Sequence, residues 1–140
     1  MNGGRDVSGK IGTLRDQLRS GKSFTDDSIM DLAPAVADEI SEIATTKLRQ
    51  YFDEIKGLAR MAEAGLSDKQ IKVKLRLIES RAKYDLGRAS KRDRAAFQKL
   101  NDFLTTSFDH VRSGKVEERI KQFALFFECV YGYFYYKRAR

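Results

Sequence analysis

Apolar side chains recur every three or four residues along most of this chain, the spacing that gives an α-helix one apolar face. No stretch of useful length alternates apolar and polar residues, as a half-buried β-strand would. The periodicity predicts an all-α fold, a single small bundle of about five helices joined by short loops. The predicted helices run from Pro34 to about Ile43, from Thr45 or Thr46 to Gly65, from Ser67 to about Gly87, from about Lys91 to Arg112, and from Val116 into the aromatic C-terminal end.

Local signals mark where several of these helices begin and end. Pro34 suits an opening turn, since its missing N–H would have no partner there. Ser67 and Gln70 have the spacing of a capping box, in which the serine side chain accepts a bond from the backbone three residues later. Gly65 suits the position just after a helix end, and Gly114 separates the last two helices.

The first 27 residues differ from the rest of the chain. They are rich in Gly, Ser and charged residues, so we expect residues 1–27 to form a mobile N-terminal arm with one short helical piece from Ile11 to Arg19. Residues 28–140 then form the helical bundle domain. The 140 residues, 41% of them hydrophobic, are enough for one domain with a modest core.

Residues that carry catalysis or bind metals are scarce. His110 is the only histidine and Cys129 the only cysteine, which excludes an internal disulfide, a multi-cysteine zinc site and an H-E-x-x-H metal site. We interpret His110 as a surface or boundary residue and Cys129 as a small core residue. The sequence therefore predicts no enzymatic activity, no cofactor and no metal.

The sequence also bears on location. The N-terminus lacks the apolar segment of a signal peptide. The most apolar stretch, residues 123–136, contains Glu128 and is too short to span a bilayer as a helix. These features, with a single free cysteine, predict a cytoplasmic protein that does not enter the membrane.

The net charge of +7 is unevenly distributed. Residues 23–44 carry six acidic and no basic side chains, whereas residues 69–94 carry ten basic and three acidic ones. Few acids interrupt the basic segment, so ion pairs within its own helix cannot neutralise it. A solvated helix face is the plain interpretation, but folding gains nothing from such repulsion, whereas a phosphate backbone would complement it.

Helical spacing gathers the basic side chains into stripes. On the second predicted helix they lie opposite the apolar face, and on the third they flank the apolar stripe of Ile71, Leu75, Ile78 and Ala82, with Val73 and Leu77 beside it. We expect these basic residues to contact nucleic-acid phosphates. The candidates for RNA binding are Arg49, Lys56, Arg60, Lys74, Arg76, Arg81, Lys83 and Arg88.

The C-terminal end holds five aromatic side chains within residues 131–136. They cannot all face inward on one helix, so at least two must be exposed or meet a partner. Such side chains stack on bases in some proteins and fill a core or a subunit interface in others. We expect the exposed ones to serve assembly.

Three segments together resemble a known family, the small subunit of the Csm complex, which is the type III-A CRISPR effector. The resemblance covers about residues 40–137. The first segment is TTKLRQYF at 45–52, a threonine-capped helix with an arginine before an aromatic pair. The second is KLRLI at 74–78 followed by Lys83-Tyr84 and Gly87-Arg88. The third comprises Phe123, Phe126, Phe127, Glu128, Val130, Tyr133 and Tyr135-Tyr136-Lys137.

The resemblance implies a non-catalytic subunit present in several copies, which stack into an inner filament beside the subunits that hold the crRNA. It implies crRNA, target RNA, other Csm subunits and further copies of this chain as partners, with the subunit lining the channel where crRNA pairs with target RNA. Guide pairing would read the sequence while the protein holds the backbone. By position, Arg49 and Lys56 are the best implied contacts, followed by Arg76, Arg81, Lys83 and Arg88.

Alternatives remain open at this point. The chain could be a helical adaptor without a nucleic-acid role, whose basic face docks an acidic protein. It could be a basic DNA-binding regulator, although no helix pair with a short turn and a clear recognition helix is visible. A membrane-surface role through residues 134–140 is also conceivable.

Overall fold

A computed structural model describes residues 7–139 of the chain. Within that range it contains seven helical segments and no strand. They are α1 (Gly9–Arg19), α2 (Asp27–Met30), α3 (Ala33–Glu39), α4 (Thr45–Glu63), α5 (Asp68–Arg88), α6 (Arg94–Arg112) and α7 (Val116–Ala139). The predicted all-α class is confirmed. The predicted number of about five helices is wrong by one, because α2 is a single turn and the other six are longer helices.

The additional helix is α1, which lies inside the expected N-terminal arm. Its side chains Ile11, Leu14 and Leu18 are buried, as is Phe24 after it. They follow one helical stripe, and the helix packs against α6 and α3. Residues 7–27 therefore belong to the bundle rather than standing apart from it, because burying this stripe offsets the polar composition of the segment. Residues 1–6 of the expected arm lie outside the described residues.

The last helix organises the bundle. Helix α7 packs against α3, α4, α5 and α6, while α5 lies at one edge, against α4, α6 and α7. Helix α1 packs on α6 and α3. The C-terminal helix thus occupies the centre, and the most basic helix occupies an edge.

Aromatic rings fill the space around α7. The Phe127 ring lies 5.3 Å from that of Phe103 at 90°, and 5.6 Å from that of Phe123. Phe24 adds a ring from the segment after α1, 5.0 Å from Phe123. Contacts between ring edges and faces stabilise the fold beyond what the burial of apolar surface alone contributes. The side chains that recur at helical spacing along α7 are all buried: Ile120, Phe123, Phe127, Val130 and Phe134.

The predicted helix boundaries are confirmed to within two residues, except that α3 ends at Glu39 rather than about Ile43 and α6 begins at Arg94 rather than about Lys91. The Ser67 hydroxyl oxygen accepts a hydrogen bond from the backbone N–H of Gln70 at 3.2 Å, as the capping pattern predicts. Gly65 follows α4 with a φ of 104°, a conformation that favours glycine. Pro34 lies in the first turn of α3. Within residues 7–139 no helix combines the length and apolarity needed to cross a membrane.

Candidate nucleic-acid interface

Helices α4 and α5 lie antiparallel, joined by polar contacts along their shared side. Lys47 and Asp85 form an ion pair at 3.2 Å, and the Tyr51 hydroxyl donates to the same carboxylate at 2.6 Å. Further along α4, Glu54 pairs with Arg81. Residue numbers rise on one helix as they fall on the other, which fixes the antiparallel register. These contacts define which side of α5 faces α4.

Tyr51 is the buried centre of this seam. Its ring is fully buried, and the Arg81 guanidinium lies 5.7 Å from the ring centroid. Burial and the hydrogen bond to Asp85 raise the pKa of Tyr51 above its ordinary value. The hydroxyl therefore remains a proton donor at neutral pH. Its role is to hold α5 against α4.

Three of the expected RNA contacts donate hydrogen bonds to carboxylate or amide oxygens of the protein. Arg81 is paired with Glu54 on α4. Lys83 points the other way, donating to Asn101 Oδ1 at 3.2 Å on α6. Arg76 pairs with Glu79 at 2.9 Å, and the same carboxylate binds Arg112 of α6. The argument that few acids interrupt this segment did not take account of Glu54 on α4, or of Glu79 pairing with both Arg76 and Arg112.

Two basic rows therefore run along α5, on opposite sides. Lys74, Arg81 and Arg88 recur every seven residues, so they share the side that faces α4. Lys72, Arg76 and Lys83 lie on the side that faces α6. The structure does not bring the predicted set onto one surface. It divides the five members of the set on α5 between these two sides of the helix.

The larger group spans α4 and the near side of α5. Arg49 is exposed and loosely paired with Asp53 at 3.9 Å. Lys56 lies 5.5 Å over the Phe52 ring, at the edge toward α7. Arg60 and Lys74 are exposed, and neither side chain forms a hydrogen bond or ion pair within residues 7–139. We call this group the α4–α5 basic surface: Arg49, Lys56, Arg60, Lys74, Arg81 and Arg88.

Between the two rows the outer face of α5 is apolar. Val73, Leu77 and Tyr84 are 54%, 63% and 60% exposed, which makes them among the most exposed large apolar side chains described. The sequence placed Val73 and Leu77 beside the buried stripe. Their offset from Leu75 was the signal that they face solvent, because successive helix positions are rotated by about 100°.

The exposed C-terminal aromatics match their prediction. Phe134 is buried, whereas Tyr133, Tyr135 and Tyr136 are exposed. Tyr131 stacks on Phe52 of α4, with ring centroids 4.9 Å apart. At least two aromatics were expected outside the core, and this is confirmed.

The basic end of α7 is partly tied down. Lys137 pairs with Asp38 at 2.5 Å, and Arg138 donates to the backbone oxygens of Ser41 and Ile43 at 2.7 and 3.0 Å. These contacts join the basic end to the acidic segment 23–44 that the sequence singled out. Part of the positive charge at this end is therefore satisfied within the chain.

A family model described as Csm2 type III-A matches residues 25–139. The chain belongs to the Csm2 type III-A family. The match includes α2 to α7, and with them the whole α4–α5 basic surface. No curated protein and no solved structure matches the chain at a significant level. The resemblance that the sequence analysis found over residues 40–137 is thereby confirmed at the level of the family.

Helix α1 lies ahead of the segment that matches the Csm2 family. That helix brings Leu14 and Leu18 into the core but no basic side chain of the α4–α5 basic surface. The family match and the basic surface thus coincide in the same part of the bundle.

His110 does not lie on the surface, contrary to the sequence-based interpretation. It is buried, 5.3 Å from the Phe24 ring, and its Nε2 has no hydrogen-bond partner among residues 7–139. Burial, together with the nearby charge of Arg119, lowers its pKa to about 4. The ring is therefore neutral at physiological pH. Cys129 is half-buried, and residues 7–139 contain no group of three His, Cys, Asp or Glu side chains placed to hold a metal.

Proposed function

We propose that this Csm2-family chain is a non-catalytic RNA-binding subunit of the type III-A complex, which holds crRNA and target RNA through the α4–α5 basic surface. One observation carries the proposal. Basic side chains follow two antiparallel helices, and Arg49, Arg60, Lys74 and Arg88 among them are solvent-exposed. Phosphate groups complement such a surface without any requirement for base sequence.

The proposed mechanism is backbone positioning. Guide pairing selects the target, while lysine and arginine neutralise phosphates and keep the paired strands in register along the channel. Arginine grips a phosphate with two parallel hydrogen bonds, which favours Arg49, Arg60 and Arg88 where geometry matters. Cleavage belongs to other subunits in this proposal.

The predicted contacts are not equivalent. Lys74 and Arg60 can meet a phosphate without leaving a partner, whereas Arg81 would have to leave Glu54. Arg76 and Lys83 lie on the α6 side, away from the α4–α5 basic surface. We infer that these two contribute less to holding the paired RNA.

Assembly forms the second half of the proposal. The partners are other Csm subunits and further copies of this chain, in the cytoplasm. Tyr133 and Tyr135 expose aromatic rings beside the end of α7, and exposed tyrosines are common at protein interfaces. This end is far in sequence from the α4–α5 basic surface, so assembly and RNA binding would use different helices.

The test compares RNA affinity at several salt concentrations in the assembled complex. A variant with Arg49, Arg60 and Lys74 changed to Ala is expected to bind weakly, with the salt slope reduced by about 0.7–0.9 for each phosphate that is no longer neutralised. The decrease in affinity should be similar for different RNA sequences. The matched control changes Arg19, Lys22 and Lys115 to Ala, which removes the same charge from other exposed positions.

Two results would contradict the proposal. If the α4–α5 variant assembles and holds RNA as the wild type does, the chain acts as an adaptor and the basic surface is only solvated. If the control variant loses as much RNA affinity as the α4–α5 variant, the net charge of the chain attracts RNA and this surface does not do so specifically.

A further inference from the structure

The outer face of α5 combines features that backbone binding does not require. Val73, Leu77 and Tyr84 are separated by four and seven residues, so they form one row on the helix. At about 1.5 Å per residue the row is about 16 Å long. All three side chains are more than half exposed. We call this row the α5 apolar strip.

Positive charge borders the strip on both sides. Lys74, Arg81 and Arg88 lie toward α4, where Arg81 meets Glu54. Lys72 and Lys83 lie toward α6, where Lys83 meets Asn101. From residue 69 to residue 88, no exposed side chain is acidic, because Glu79 is buried and Asp85 is turned toward Lys47. The strip therefore lies between two rows of positive charge.

Tyr84 is held in place at one end of the strip. The Arg88 guanidinium lies 5.7 Å from the ring centroid, and its Nη1 donates to the tyrosine hydroxyl at 3.3 Å. A cation over one face of a ring restrains it and stabilises it modestly. The side chain is nevertheless 60% exposed. A restrained, exposed ring is suited to stacking on another flat, apolar surface.

The two halves of this face fit different parts of a nucleotide. In paired RNA the base faces are stacked inside the helix, so a protein surface meets phosphates, hydroxyls and base edges. The α5 apolar strip would gain nothing there. An unpaired strand offers base faces together with phosphates, and aromatic side chains beside basic ones bind such strands. At about 3.4 Å per stacked nucleotide, the strip spans about five nucleotides.

We propose that the outer face of α5 binds an unpaired RNA segment, with a base stacked on Tyr84, its neighbours packed on Leu77 and Val73, and the phosphates on the flanking basic rows. The inference rests on the proposed function in one respect, since it takes RNA as the ligand. It adds that α5 carries a second RNA surface, specific for unpaired strands, which shares Lys74, Arg81 and Arg88 with the α4–α5 basic surface.

A protein partner would need a particular pattern to fit the same face. Its apolar residues would have to be bordered by acids on both sides to match the two basic rows. An RNA strand carries a negative charge at every nucleotide and satisfies both rows without such a pattern. The charge on both sides of the strip therefore favours RNA.

The test uses the full-length chain with a labelled single strand and a blunt RNA duplex of equal length. Tyr84→Ala is expected to weaken single-strand binding at least about fivefold, the lower end of a base–aromatic stack, and to leave duplex binding unchanged. Tyr84→Phe keeps the ring and should retain single-strand affinity. Leu125→Ala removes an exposed apolar side chain from α7 and serves as the control.

A second measurement does not depend on any variant folding correctly. A 2-aminopurine placed in an unpaired stretch should change fluorescence when it stacks on the wild-type protein, and the same base inside a duplex should not respond.

The inference is overturned if Tyr84→Ala weakens the binding of single strands and of duplex equally, or weakens the binding of neither. If Tyr84→Ala has no effect while the Arg49, Arg60 and Lys74 variant fails to hold RNA, the proposed function survives without it. If both variants bind every kind of RNA as the wild type does, both proposals fail, and an acidic protein becomes the partner to seek.

Discussion

Helices α5 and α7 are the two longest in the bundle, at 21 and 24 residues, yet they use their length differently. Helix α7 contacts four other helices and buries all four of its phenylalanine rings among them. Helix α5 buries only five side chains and leaves its outer face basic and apolar. One helix holds the fold together, and the other is free to meet a ligand.

The comparison shows that apolar side chains have different roles on the two helices. A ring on α7, such as Phe127, is surrounded by other rings and contributes to stability. Leu77 on α5 is 63% exposed and contributes almost nothing to the core. Retaining an apolar side chain there favours a role in binding, because burial does not account for it.

The largest effect should come from removing a ring at the centre of α7. Phe127 is fully buried against Phe52 and Phe103, so Phe127→Ala removes apolar contacts and leaves a cavity. We expect the free energy of unfolding to fall by about 3–5 kcal/mol. Leu77→Ala is the matched change on α5 and should alter stability by less than about 0.5 kcal/mol. Urea unfolding followed by circular dichroism measures both, and equal decreases would contradict the comparison.

A smaller effect should appear on lowering the pH, and it should arise in the α6–α7 core. The pKa of His110 is about 4 in the folded protein and 6.5 ordinarily, because burial disfavours the charged ring. Between these values only the unfolded chain takes up the proton. The part of the unfolding free energy that depends on a neutral His110 is therefore fully present above pH 6.5. It is lost as the pH falls toward 4, by up to about 3 kcal/mol.

The variant His110→Gln isolates this effect from the titration of carboxylates. Unfolding free energies of the wild type and the variant are measured between pH 7 and 4. The wild type should lose stability relative to the variant across that interval. Parallel curves would show that His110 titrates normally and is not held neutral by the core.

Much of the fold follows from the sequence because helical signals are local. The spacing of Leu48, Phe52 and Ile55 predicts the buried side of α4, and Ser67 predicts where α5 begins. Whether α1 packs against the bundle does not follow so directly from the sequence. Ile11, Leu14 and Leu18 form a helical stripe, but only the presence of a core for them to join decides whether the segment packs.

The candidate site is predicted less completely, since pairing across helices cannot be seen in a single sequence. Arg81 looks free along its own helix, and its partner Glu54 lies 27 positions earlier. Lys83 reaches Asn101 on α6 in the same way. Arg60 and Lys74, which pair with no acid across the seam, are the positions at which the sequence-based expectation and the surface agree.

The turn between α6 and α7 has a consequence for the order of folding. Arg119 closes this turn by donating to the carbonyl oxygen of His110 at 2.6 Å and to the Ser113 hydroxyl at 2.9 Å. The turn brings the phenylalanine rings of α6 and α7 together. These rings lie close in sequence, and closing a short loop costs little chain entropy. We expect the α6–α7 hairpin to form early and α1 to dock late. Stopped-flow kinetics should then show Phe103→Leu slowing folding and Leu14→Ala mainly speeding unfolding.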